Sequence, residues 1–450
     1  MRIPFTLAAL FALTFVASAQ KLEPMADDPA LSKFKPLKSP EYSKLYLKPG
    51  DKLAICGDSI TEQKLYSRII EDYLTMCVPE LKVTVRQYGW SGERAPGFLA
   101  RMTNDCLRFK PTIATTCYGM NDHEYRPYEE RIGNTYRSNS VAIIEAFKAN
   151  GARVVQGSPG CVGKMPGWVK TANGTVDDLN LNLCNLRNID IEIAKQEGVR
   201  FADVFWPMMT SGTVARRKYG PEFCIAGKDG VHPGWAGQTV MAYAFLKALG
   251  VSGEIGTFTV DMGHGSIKAT SGHEIVSGKN GTYEIRSHRY PFCPCETGGK
   301  NAANYPVCGA DGIANDATIR AALSLVPFNQ DLNRLMLIVK NGRAGVYRIT
   351  WGGESKVFQG QELQKGVNLA AEFPSNPFSE AFTKVDTAVA AKQAYETKQI
   401  KERFHGKEAR ESKDVMETTV TETEKEREPL AAAIPAAMSP VTHTLKIEAL

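Results

Sequence analysis

Between Lys52 and Gly250, short apolar runs alternate with stretches in which apolar residues recur every three or four positions. "KLAIC" has the length of a strand, and after it Leu65, Ile69, Tyr73 and Cys77 recur at the spacing of one helix face. "KVTVRQY" predicts the next strand, residues 97 to 109 a helix, and "TIATTCY" a third strand. "SVAIIEAFKANG" reads as a helix ended by Gly151, and "ARVVQGSP" as a fourth strand. A helix through Leu179, Leu183, Leu186 and Ile193 stops at Gly198, "VRFADVF" gives a fifth strand, and "WAGQTVMAYAFLKALG" the last helix. Strands separated by helices predict an α/β fold built on a doubly wound, five-stranded parallel sheet. Its ligands are expected beyond the carboxyl ends of the strands.

The pattern changes after Gly250. Residues 251–375 carry short alternating runs such as "GTYEIRSH", "LMLIVKNG" and "AGVYRITWGG", separated by Gly and Asn, which predict the hairpins of a small β domain. A charged helical pattern resumes near Pro377 and runs to His405. Residues 408–428 are either the second helix of an antiparallel pair or a solvated tail. The pair is favoured, because the apolar "PLAAAIPAAM" and the strand-like "THTLKI" that follow need something to pack on. The expected domains are therefore 45–250, a β-rich accessory domain at 251–375 and a helical C-terminal region at 376–450.

Residues 1–19 stand apart from this scheme. Arg2, an apolar run from Phe5 to Val16 and the small residues Ala17, Ser18 and Ala19 predict a secretory signal peptide, with the mature chain starting at Gln20 in a periplasm or outside the cell. No later apolar run approaches the ~18 to 20 residues of a membrane span. The net charge of +5 on 450 residues is mild and interspersed, with no basic stripe, which argues against nucleic acid as a partner. Of the ten cysteines, Cys56 and Cys117 fall in strand-like runs as small hydrophobes, whereas Cys293, Cys295 and Cys308 share a Pro, Gly and Asn-rich stretch expected to hold at least one disulfide. There is no CxxC pair, and three thiolates without a nearby fourth ligand do not complete a zinc site, so no metal is expected; no other cofactor is expected either.

Four short motifs carry the candidate chemistry. "GDSIT", with Ser59, closes the first predicted strand; "YGWSGE", with Gly92, and "YGMND", with Asn121, follow the second and third; "DGVHPGWAGQ", with Asp229 and His232, precedes the last helix. They supply a hydroxyl, an unobstructed backbone N–H, a side-chain amide, and a carboxylate three residues before an imidazole. That is a full set for acyl transfer: nucleophile, base, orienting acid and oxyanion donors. Only His123 and His232 lie between residues 50 and 250, so the choice of base is narrow. Asp58 reads as a helix cap or, less simply, as a group with a direct role.

As a set, Gly57-Asp58-Ser59, Gly92, Gly119-Met120-Asn121-Asp122 and Asp229-Gly230-Val231-His232 resemble the four blocks of the SGNH (GDSL) hydrolases, over roughly residues 50–250. The resemblance implies an α/β/α hydrolase with Ser59 as nucleophile, His232 as base and Asp229 as its partner. It implies an oxyanion hole made of the Ser59 and Gly92 N–H groups and the Asn121 side chain. A G-x-S-x-G elbow is absent, which disfavours the larger α/β-hydrolase class.

The expected substrate is a short-chain ester, foremost an O-acetyl group on carbohydrate. Trp90, Tyr118, Tyr125 and Trp235 lie close to the motifs and are candidates for stacking on sugar rings, with core packing the alternative for Trp90 and Trp235. His123, beside Asn121, either touches substrate or sits on a surface loop. Two other readings stay open: a lipase or lysophospholipase of the same fold, and a non-catalytic carbohydrate-binding protein.

Overall fold

The apolar run at the start of the pattern becomes the second strand of a central sheet. The computed structural model describes residues 21–24, 28–170, 173–294, 299–300, 306–307 and 319–450; the expected signal peptide, Cys295 and Cys308 lie outside them. Five parallel strands, β1 (Lys52–Gly57), β2 (Thr84–Gln87), β3 (Ile113–Cys117), β4 (Arg153–Gly157) and β5 (Arg200–Ala202), are ordered β2-β1-β3-β4-β5. This is the expected doubly wound sheet. Strand β1 is buried on both sides, so its residues alternate between two cores. Leu53 and Ile55 pack with α2 (Tyr66–Met76) and α7 (Trp235–Leu249), while Ala54 and Cys56 pack with α3 (Ala95–Asp105) and α4 (Glu130–Ala149). The remaining helices of this part are the short α1 (Ser59–Glu62), α5 (Val176–Glu197) and α6 (Phe205–Tyr219). Strand order reverses direction between β1 and β3, and the carboxyl ends of those two strands frame a crevice.

Two antiparallel-rich sheets follow. In one, β6 (Glu254–Asp261) lies between β7 (Ser266–Ala269) and the Arg334–Lys340 strand. In the other, β8 (His273–Lys279) and β9 (Thr282–Ser287) are joined to the Val346–Trp351 and Glu354–Gln359 strands by the last strand of the chain, Val441–Ala449, which sits at the centre. The C-terminal region is thus not wholly helical, since its end completes the β unit. The Ser379–Lys398 and Lys413–Ala437 helices form an antiparallel pair, connected through a π-helical turn at Gln399–Phe404. This pair lies along the outer edge of β2: the Gln87 N–H donates to Glu396 Oε2 at 3.2 Å, and Lys392 donates to the Val85 carbonyl. A free strand edge is a template for aggregation, and here the helix covers it. Cys293 is a buried free thiol, so no disulfide runs through it.

Candidate active site

The crevice between β1 and β3 opens where the first motif turns from strand into helix. Asp58 caps α1, its Oδ1 accepting the Ile60 N–H at 2.9 Å, and Ser59 is the first helical residue. The loop before α7 brings the other two groups to it. Ser59 Oγ lies 2.8 Å from His232 Nε2, and His232 Nδ1 lies 2.7 Å from Asp229 Oδ2. The second carboxylate oxygen, Asp229 Oδ1, accepts the N–H groups of Val231 and His232, both at 2.9 Å. The three-residue spacing read in the sequence therefore folds the loop back on its own carboxylate, which fixes the imidazole as well. With Nδ1–H donated to Asp229, Nε2 is left to accept the Ser59 hydroxyl proton. Burial would push the Asp229 carboxyl up, but the His232 and Val231 N–H groups and the imidazole outweigh it and hold it below the usual range.

The other two motifs lie on the loops that follow β2 and β3. Gly92 has φ +72°, a left-handed conformation that disfavours a side chain, although nothing would lie within 4 Å of a Cβ there. Asn121 donates from Nδ2 to the Glu93 carbonyl at 3.0 Å and accepts the Tyr125 hydroxyl at Oδ1 at 3.3 Å. Asp122 ties its loop to the start of α3, accepting the Gly119 N–H at 2.9 Å and the Ala95 N–H at 3.0 Å. Burial pushes its carboxyl up to about 6.

The aromatic candidates fare differently. Tyr118 is buried, stacked on Phe98 and donating to Glu93 Oε2 at 3.0 Å, and is therefore a core residue. Trp235 is also core, 4 % exposed at the start of α7 with the Arg68 guanidinium 5.5 Å from its ring. Trp90 is half-buried, its ring flanked by Arg101, Lys401 and His405. His123 is neither on the surface nor open to substrate: it is fully buried, with Nδ1 2.5 Å from the Met120 carbonyl, and burial lowers it to about 4. Tyr118, His123 and Trp235 are thus enclosed by the protein itself, while Trp90 stays partly exposed.

One residue went unnoticed in the sequence. Trp168 is 44 % exposed, and its ring lies 5.6 Å from that of His232 and 6.0 Å, edge-on, from that of Tyr125. It stands in the Pro and Gly-rich loop that follows β4. A tryptophan in a loop leaving the carboxyl end of a sheet strand is the signal that could have found it.

Residues 55–240 match the GDSL-like lipase/acylhydrolase family. No curated protein matches the chain in sequence. Among solved structures, a gut microbial diltiazem-metabolizing enzyme is similar in fold over 91 % of this chain and 100 % of its own, at 20 % identity and a TM-score of 0.71. An acetylxylan esterase from Geobacillus stearothermophilus aligns with 46 % of this chain and 97 % of its own, at 20 % identity and a TM-score of 0.39. Residues 55–240 are thus similar to the GDSL-like lipases and acylhydrolases, and that match supports a carboxylic ester hydrolase.

Proposed function

We propose that Ser59, His232 and Asp229 are the catalytic triad of a serine esterase that removes short acyl groups, foremost acetyl, from carbohydrate outside the cytoplasm. The observation that carries this reading is the hydrogen-bonded row Ser59–His232–Asp229, with separations of 2.8 and 2.7 Å. A serine hydroxyl is a weak nucleophile until a neighbouring base takes its proton. His232 accepts that proton as Ser59 Oγ attacks the ester carbonyl, and Asp229 stabilises the resulting imidazolium. The oxyanion is met by the Ser59 and Gly92 N–H groups and the Asn121 amide, each donor worth ~3 to 4 kcal/mol in comparable sites. His232 then protonates the departing alcohol, and water hydrolyses the acyl-enzyme by the same route.

The acid that protonates the leaving alcohol also tells where the alcohol sits. It must lie beside His232, which is where the exposed Trp168 ring stands, and an exposed indole suits the face of a sugar ring. The leader-like residues 1–19 support an exported enzyme. A fluorophosphonate probe tests the core of the proposal: wild type is expected to be labelled, and Ser59→Ala to lose both label and ~10³-fold or more in kcat on p-nitrophenyl acetate. A Ser59→Ala variant with a tenth of wild-type turnover would overturn it. Acetate release from a panel of acetylated polysaccharides tests the substrate, and preference for octanoyl over acetyl esters would favour a lipase instead.

A further inference from the structure

The π-helical turn at Gln399–Phe404 reaches away from the appended sheets to the loop that carries Gly92. Lys401 Nζ lies 2.7 Å from Glu62 Oε1, and the other oxygen of that carboxylate accepts the Ser91 N–H. Glu62 is the last residue of α1, the turn that Ser59 opens. The Lys401 ammonium also lies 5.4 Å from the centre of the Trp90 ring, and His405, itself held 2.8 Å from Asp105, meets that ring edge-on at 4.8 Å. One segment from the C-terminal region therefore touches the nucleophile's helix at Glu62 and the Gly92 loop at Trp90, and reaches Ser91 through Glu62.

The loop needs such a support. Nothing packs where a Gly92 side chain would be, so the direction of its N–H is set by its neighbours. Trp90 N–H donates to the Gly57 carbonyl at 3.1 Å, and the Gly89 backbone lies so close to α1 that a Cβ there would come within 2.1 Å of the Glu62 nitrogen. These contacts fix residues 89 and 90; the Ser91 peptide is fixed by Glu62. Burial alone would raise the Glu62 carboxyl, but Lys401 and Ser91 hold it below the usual range, which keeps it a charged and therefore strong acceptor. Without Lys401 that acceptor loses the group that orients it.

We propose that the 399–405 segment is a clamp on the oxyanion loop, with Lys401 as a positioning residue that acts through Glu62 to aim the Gly92 N–H at the developing oxyanion. The inference rests on the role given to Gly92 above. Its consequence is that the C-terminal helices are part of the catalytic apparatus, although they lie outside the family domain. Donors must be held to within ~0.5 Å to be effective, and loss of one costs ~10² to 10³ in kcat. A loosened donor should cost part of that.

The test compares full-length wild type, Lys401→Met and Lys401→Arg on p-nitrophenyl acetate. Lys401→Met is expected to lower kcat by ~10-fold or more with KM within about twofold, because the donor acts on the transition state. Lys401→Arg, which can still reach the carboxylate, is expected to recover most of it. The acidic limb of the pH profile should not move, since His232 is untouched. Amide hydrogen exchange across residues 88–94 should be faster in Lys401→Met and restored in Lys401→Arg. Unchanged kcat and unchanged exchange in Lys401→Met would overturn the clamp. So would a loss of activity that Lys401→Arg does not rescue, or one that comes with a global fall in melting temperature. A wild type that turns over ester but takes no fluorophosphonate at Ser59 would instead overturn the triad reading on which the clamp rests.

Discussion

Asp58 and Asp229 approach the same serine, and their surroundings drive them in opposite directions. Asp58 is fully buried, and burial, with Asp122 and Glu93 nearby, pushes its carboxyl up to about 7 in spite of the Ile60 N–H it accepts. A carboxyl raised in the folded state stabilises the fold below its unfolded value, and that contribution is lost as pH rises through the folded value. Asp58→Asn keeps an acceptor for the Ile60 N–H and removes the proton. Thermal melts are expected to show the variant gaining on wild type by on the order of 2 to 4 kcal/mol between pH 4 and pH 8; parallel curves would count against it. Asp229, held low, stays ionised throughout the range in which an imidazole titrates. The acidic limb of kcat/KM should accordingly carry no proton from Asp229, and a slope of two would show that the carboxylate titrates there. On the alcohol side, Trp168→Ala is expected to raise KM for acetylated polymer ~5-fold or more while leaving small chromogenic esters nearly unchanged, because one stacked ring is worth ~1 kcal/mol. Equal effects on both would remove Trp168 from the substrate's path.

Among the elements, the helix at the β2 edge carries the largest electrostatic stake. Lys392 is 1 % exposed, 2.6 Å from Glu71 and 3.4 Å from Glu396, and Arg427 lies 2.6 Å from Glu396 on the other side. Replacing Lys392 by Met keeps the aliphatic stem but leaves two buried carboxylates with one fewer cation between them. Removing one partner of a buried pair costs ~3 to 5 kcal/mol, whereas the half-exposed Lys401–Glu62 pair should cost less than ~1 kcal/mol. Urea unfolding at pH 8 is expected to separate Lys392→Met from Lys401→Met by that margin. At pH 5 the gap should narrow, since burial already pushes the Glu71 carboxyl up and a proton can replace the lost cation. None of this was readable from the pattern of the helix itself: its charged residues look like a solvated face, and only the fold shows that they meet a sheet edge some three hundred residues earlier. The five central strands were legible because strands buried on both sides leave continuous apolar runs. The Ser59, Asp229 and His232 motifs were legible because each sits where a strand or loop meets a helix. Tyr118, Trp235 and His123 are buried, because nearness to a motif in sequence does not tell which way a side chain points at the end of a strand, at the start of a helix or in a turn.

At the scale of the whole molecule, the chain closes on itself twice: its helices return to the hydrolase sheet, and its last strand returns to the centre of a sheet begun by β8 and β9. The Gln87 and Lys392 bonds at the β2 edge and the central place of the last strand make the appended part an architectural partner of the hydrolase sheet and not a loose extension. The Val441–Ala449 strand pairs with β9 on one side and with Val346–Trp351 on the other. It buries Leu445 and Ile447, and His443 takes a bond from Trp351 Nε1 at 3.0 Å and lies 3.0 Å from Ser287 Oγ. Deleting residues 441–450 would therefore split one five-stranded sheet into two hairpins and uncover the Trp351 core. Neither hairpin is stable alone in water. The Lys413–Ala437 helix, tethered just before this strand, would lose its anchor, and with it the partner that holds the 399–405 segment on the Gly92 loop. The expected outcome is little soluble protein, or a melting temperature lower by ~10 °C or more with esterase activity falling in step. Circular dichroism melts and p-nitrophenyl acetate turnover on the same preparation check this. A truncated chain that melts and turns over like wild type would mean that the hydrolase domain stands without its appended sheets.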